Sequence, residues 1–204
     1  MAFTMYKQKY VFHLFPYWRR TPTDVMSKWT DDFSGMGYST AEYIEDYPSY
    51  RTTHTFLLKN LQEIDEVNSM LDTFLGRLTA FWFPSFRKDI ILTSNIGSSA
   101  TVINIEEMEY SEFYPATPGS GRYIFIYVNR NKWFARKITG VSGPTVLDIE
   151  SSLGEQVNMS QIKCVSFLYL GRFDIDEFEW SFHTPEVATI ELVFKELPKE
   201  YALL

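Results

Sequence analysis

Only one stretch of the chain repeats its apolar residues at helical spacing, and this constrains the fold more than any other feature. Leu61, Ile64, Val67, Leu71 and Phe74 recur at three- and four-residue steps, which places them on one helical face. The opposite face carries Gln62, Asp65, Glu66, Asn68, Ser69 and Asp72. Asn60 followed by Glu63 fits a capping box with an asparagine as the side-chain cap. Gly76 is placed to be the left-handed residue that closes the helix. The spacing predicts one amphipathic helix over about 60–75, so the rest of the chain has to fold mainly as strands.

The remaining texture agrees. Residues 6–15 read as a first strand stopped by Pro16, 21–29 as a mixed segment, and 38–48 as a segment holding one strand, ended by Pro48. Residues 51–58 alternate and are β-branched. After Gly76 and Arg77 the chain spends Phe81, Trp82 and Phe83 on one short strand that runs into Pro84. Alternation sends Phe81 and Phe83 to one face and Trp82 to the other. The expectation is that Phe81, Phe83 and Phe86 pin the corner under the helix, while Trp82 faces a second sheet or a neighbouring subunit.

From there to about residue 170, short strands at steady spacing suggest a small barrel: 100–105, 123–128, 133–139, 145–149 and 162–170. Asn129-Arg130-Asn131 has hairpin chemistry because Asn tolerates positive φ. Residues 115–121 read as a flexible loop and 140–144 as a turn. In 173–182 the apolar residues switch from odd to even positions, so the chain has to break phase at Asp176-Glu177. A last strand over 188–194 follows, and 200–204 is expected to fray. The fold class is mainly β (α+β), with domains at 1–96 plus 162–204 and an inserted small β-barrel at 97–161.

Composition narrows the function. Aromatics make up 17% of the 204 residues, which favours sheets or aromatic interfaces. The formal net charge of −7 gives no basic footprint for gripping phosphates, and the local Trp18-Arg19-Arg20 patch does not change that. The single cysteine, Cys164, sits in an apolar run; it allows no intrachain disulfide and no Cys-based zinc site, and reads as a buried thiol. The start lacks a signal-peptide h-region, and no run approaches the length of a membrane span. A cytoplasmic protein without a membrane anchor is expected.

No motif supports catalysis or a cofactor. His13, His54 and His183 are far apart and read as scattered strand histidines. The acids Glu106, Glu107, Glu109 and Glu112, and the group Asp174, Asp176, Glu177 and Glu179, read as solvated. The second group lacks the glycine and distal Glu of a calcium loop. Gly119-Ser120-Gly121 is too short for a nucleophile elbow. No phosphate-cradling loop is present.

Three pieces of the sequence carry a resemblance. The first is the order strand 51–58, amphipathic helix, Gly76-Arg77, and the aromatic strand Phe81, Trp82, Phe83 ending in Pro84. The second is the stretch VSFLYLGRFDIDEFEW, in which a strand leads into an Arg-Phe-Asp-x-Asp turn carried by Arg172, Phe173, Asp174 and Asp176. The third is the order Glu42, Pro48, Arg51. Together they resemble the minor and distal tail proteins of tailed phages, a family shared with gene transfer agents. The resemblance touches both ends and the middle; residues 97–161 and the N-terminal 35 match it poorly.

The resemblance implies a tail-tube-like β-sandwich or split barrel with a helix at its side, and a structural virion protein that is not an enzyme. It implies a homo-oligomeric ring, six-fold, that connects the tail tube protein to tip or hub proteins of the baseplate, assembled in the host cytoplasm. DNA would only pass through the lumen, which an acidic wall would keep from sticking. Two other readings stay open at this point: a head–tail joining or tail-completion protein, and a carbohydrate-binding β module at the tail tip. A hydrolase using Asp174 or Asp176 is the remaining class.

Overall fold

The computed structural model describes residues 4–16, 23–26, 29–34, 38–43, 49–113 and 121–203. The Trp18-Arg19-Arg20 patch, Pro48 and residues 115–120, with Gly119 and Ser120, lie outside the described residues. In chain order the elements are β1 (Met5–Tyr6), β2 (Lys9–Tyr10), β3 (Thr23–Met26), β4 (Trp29–Ser34), β5 (Tyr38–Tyr43) and β6 (Ser49–Leu58). There follow α1 (Leu61–Phe74), β7 (Phe81–Pro84), β8 (Val102–Asn104), the short α2 (Tyr110–Phe113), β9 (Tyr123–Asn129), β10 (Lys132–Gly143) and β11 (Val146–Ile149). The chain continues with β12 (Cys164–Phe173), β13 (Trp180–Thr184) and β14 (Val187–Glu196). The fold is mainly β, as expected. No helix of the described residues is long and apolar enough to cross a membrane.

The chain divides into two compact units whose boundaries differ from those expected. The first holds residues 1–15, 80–171 and 199–204, and the second 16–79 and 172–198. Residues 97–161 do not stand alone, because β9 pairs with β12 as well as with β10. In the first unit the strands run β7–β12–β9–β10–β11–β8, with antiparallel neighbours throughout. Strands β9 and β12 are buried along almost their whole length, so both read as continuous apolar runs.

Several local expectations give way to specific contacts in this unit. Residues 6–15 do not form one strand: Lys7 and Gln8 both take positive φ, so the chain folds into the β1–β2 hairpin before Val11 bridges to Trp82. The Arg130-Asn131 turn is closed by the Asn129 side chain, which accepts from the Asn131 N–H at 2.9 Å, and not by a left-handed asparagine. Gly140 lies within β10 at a register shift against β11, not in a turn. Residues 198–203 do not fray: they form a 3₁₀ turn that buries Tyr201, whose hydroxyl accepts from the Leu170 N–H.

In the second unit β14 pairs with β6 over eight residues, β3 adds to the other side of β6, and β13 pairs back on β14. Strands β4 and β5 form a separate hairpin. Helix α1 buries Ile64, Val67, Met70, Leu71 and Phe74. Met70 joins this buried face, whereas Leu61, at the first helical position, is exposed. The cap forms as read: Asn60 Oδ1 accepts from the Glu63 N–H at 2.9 Å, while the Glu63 carboxylate accepts from the Lys59 N–H, one residue earlier than a capping box would have it. The phase break after β12 also lies where the alternation put it, in the turn between Phe173 and Trp180.

Candidate functional site

The end of α1 and the turn after β12 meet in one polar corner of the second unit. The helix closes one residue sooner than expected, at Leu75 with φ 51°, and Gly76 follows with φ 58°. The Leu75 N–H donates to the Leu71 carbonyl, and the Thr79 N–H to that of Phe74. This leaves the Arg77 N–H pointing away from the helix, where the Asp176 carboxylate accepts it at 3.2 Å. The same carboxylate pairs with Arg77 Nε at 3.3 Å. Arg172 Nη1 donates to the Arg77 carbonyl. A Cβ added at Gly76 would lie 3.0 Å from Asp176 Oδ1, so the close approach needs the glycine twice, for its φ and for its missing side chain.

Asp174 anchors the same turn to the sheet. Its N–H donates to the Val193 carbonyl, and its carboxylate accepts from Arg51 Nε at 2.8 Å. Phe173, fully buried, packs on Phe74, Phe178 and Phe194 with ring centroids 5.3–6.0 Å apart. The structure thus brings Gly76, Arg77, Arg172, Phe173, Asp174 and Asp176 together. Both ion pairs are partly or largely open to solvent, so each contributes at most about 1 kcal/mol and acts mainly to fix direction. Beside this corner Leu75 and Leu78 are exposed, Leu78 by 82%.

The other expected residues, Phe81, Trp82, Phe83 and Pro84, belong to the first unit and are all buried. Phe81, Phe83 and Phe86 contact Phe12, Phe15 and Tyr169 there. Trp82 is 0% exposed. Its Nε1–H donates to the Tyr6 carbonyl, its own carbonyl accepts from the Phe12 N–H, and its ring touches Tyr6, Tyr123 and Tyr201. The expectation that Trp82 faces a neighbouring subunit is therefore corrected: the N-terminal segment covers it, and no ring surface remains.

That segment also builds a cluster that sequence reasoning missed. The Tyr6 hydroxyl donates to Glu150, Lys7 pairs with the same carboxylate at 3.1 Å, and the Lys137 N–H donates to it. Lys7 and Lys137 both lie over the Tyr123 ring. Burial works against the Glu150 charge, but Tyr6, the Lys137 N–H and Lys7 outweigh it and hold the carboxyl below its ordinary range. Burial pushes the Tyr6 and Tyr123 hydroxyls up. No turn signature marks Lys7-Gln8, since neither is Gly, Asn or Asp, so spacing offered no sign of the hairpin.

The remaining candidates disperse. His54 shares a hydrogen bond with Thr52, His183 with Thr189, and His13 stacks on Trp133. Among the described residues no group of three His, Cys, Asp or Glu could hold a metal ion. Cys164 is buried, as read from its apolar run, and burial raises its thiol. Asp89 is held by the Ser85 hydroxyl and the Phe167 N–H, yet burial dominates and raises its carboxyl. No known protein family and no curated protein matches the chain.

Proposed function

We propose that this is a structural virion protein of a phage tail, forming a homo-oligomeric ring that joins the tail tube to the distal tip or baseplate. The observation that carries the reading is the bond between Arg77 and Asp176. The Gly76-Arg77 corner and the Arg172-Phe173-Asp174-x-Asp176 turn are separate pieces of the resemblance, 99 residues apart at their contact, and they hold each other. Asp174 and Asp176 are each engaged by an arginine, which suits a fixed corner and gives them a structural role.

On this reading the exposed Leu75 and Leu78 are contact surface for a neighbour in the ring, and the net charge of −7 keeps DNA moving freely through the lumen. The partners are further copies of the chain, a tail tube protein and tip or hub proteins. Native mass spectrometry with negative-stain imaging tests it. The expected result is a closed ring, formed by the chain alone or on adding a tail tube protein. A monomer that stays monomeric in both conditions overturns the proposal.

A further inference from the structure

The second unit carries a sheet edge with unusual properties. Among the described residues β13 pairs only with β14, so its other side is open. The core face of the sheet runs out to this edge. In one row Phe56, Ile190 and Trp180 lie side by side across β6, β14 and β13; in the next, Leu58, Ala188 and Phe182 do. The first two members of each row are buried, whereas Phe182 is 60% exposed and stacks on the half-buried Trp180. The rows end as though one more strand belonged beside them.

The charges around the edge say which strand. Residues 173–194 contain six acids and neither Lys nor Arg. Arg51 and Arg77 take Asp174 and Asp176. Glu177, Glu179 and Glu186 are exposed at the two ends of β13, with no ion pair among the described residues. The strand itself, Trp180-Ser181-Phe182-His183-Thr184, has no lysine or proline of the kind that blunts an edge. A second copy of β13 laid antiparallel across Phe182 would bring Glu177 and Glu179 beside the other copy's Glu186, which like-charge repulsion disfavours.

We propose that β13 accepts an extended segment of a partner protein, with apolar residues at alternate positions and Lys or Arg at both ends. Main-chain hydrogen bonds to the open edge supply the pairing, the apolar residues cover Trp180 and Phe182, and the basic ends answer the three glutamates. This inference rests on the edge and its charges alone and is independent of ring assembly.

The probe is a synthetic peptide of alternating valine and threonine with two lysines at each end, set against the same peptide with glutamates at its ends. Titration calorimetry and amide hydrogen exchange on the full chain should show that the lysine-ended peptide binds, protects the amides of 180–184, and weakens with added salt. Phe182→Ser, at an exposed position, should lose this binding while keeping the parent circular dichroism spectrum. A Glu179→Lys, Glu186→Lys double variant should reverse the preference between the two peptides. Equal binding of both peptides, binding of neither, or protection elsewhere than 180–184 overturns the proposal. So does a self-associated form that Phe182→Ser disperses, which would make the occupant a second copy.

Discussion

At the scale of single residues, Trp82 separates what alternation can tell from what it cannot. Alternation places its ring on the face opposite Phe81 and Phe83, but the role of that face depends on what lies over it. Here Tyr6, Tyr123 and Tyr201 lie over it, and the indole N–H has found the Tyr6 carbonyl. Truncating a completely buried tryptophan typically costs about 3–5 kcal/mol. Trp82→Ala should therefore lower the urea midpoint sharply and reduce soluble yield, with assembly lost only as a consequence of the weakened fold. An unchanged midpoint would contradict the packing described. None of the three covering tyrosines is near Trp82 in sequence, which is why its surroundings were not legible there.

At the scale of elements, helix α1 and its Asn60 cap are the most legible part of the chain, and its C-terminal end less so. Its inner face matched the spacing at Ile64, Val67, Leu71 and Phe74 because a 3.6-residue period over four turns leaves little ambiguity. Leu61 departs because it opens the helix, where there is no preceding turn to share its cover. At the other end two consecutive residues, Leu75 and Gly76, turn left-handed. Gly76→Val adds a β-branched side chain at φ 58° and drives it against the Asp176 carboxylate. The backbone cost alone is about 1–2 kcal/mol. A fall of at least that size in unfolding free energy is expected from denaturant titration, larger than for Gly76→Ala. The pairing of Arg77 with Asp176 could not be read from either segment alone, although both segments stood out.

At the scale of the whole molecule, the strand inventory was largely readable but its grouping was not. The texture of 97–161 suggested an insertion; pairing of β9 with β12 removes that boundary, and spacing carries no information on which distant strands pair. The same long-range assembly sets a pH response. The Glu150 carboxyl is lower in the folded protein than in the unfolded chain, so its contribution is present above the ordinary carboxylate range and is lost as pH falls through its folded value. Asp89, raised by burial, works in the opposite direction: its contribution is fullest in acid and is lost as pH rises through its folded value. Glu150→Gln should lower the thermal midpoint at neutral pH and flatten its decline on acidification. A variant with the parent's full acid dependence would remove Glu150 from this role.

The division into two units has a consequence for synthesis. The chain passes from one unit to the other after residues 15, 79, 171 and 198, so each unit is built from pieces made at widely separated times. Tyr201, which packs on Trp82 and Tyr123 and accepts from the Leu170 N–H, supplies one of the final pieces of the first unit. A ribosome that has made residues 1–171 has therefore produced most of that unit without its closing contact. The second unit still lacks β13 and β14 at the same moment. The second unit has all its residues once 198 is made, and the first only after 199–204 follow. Apolar strands of both units wait unsealed until residues 172–204 have been made, and chaperone demand should be concentrated before that point.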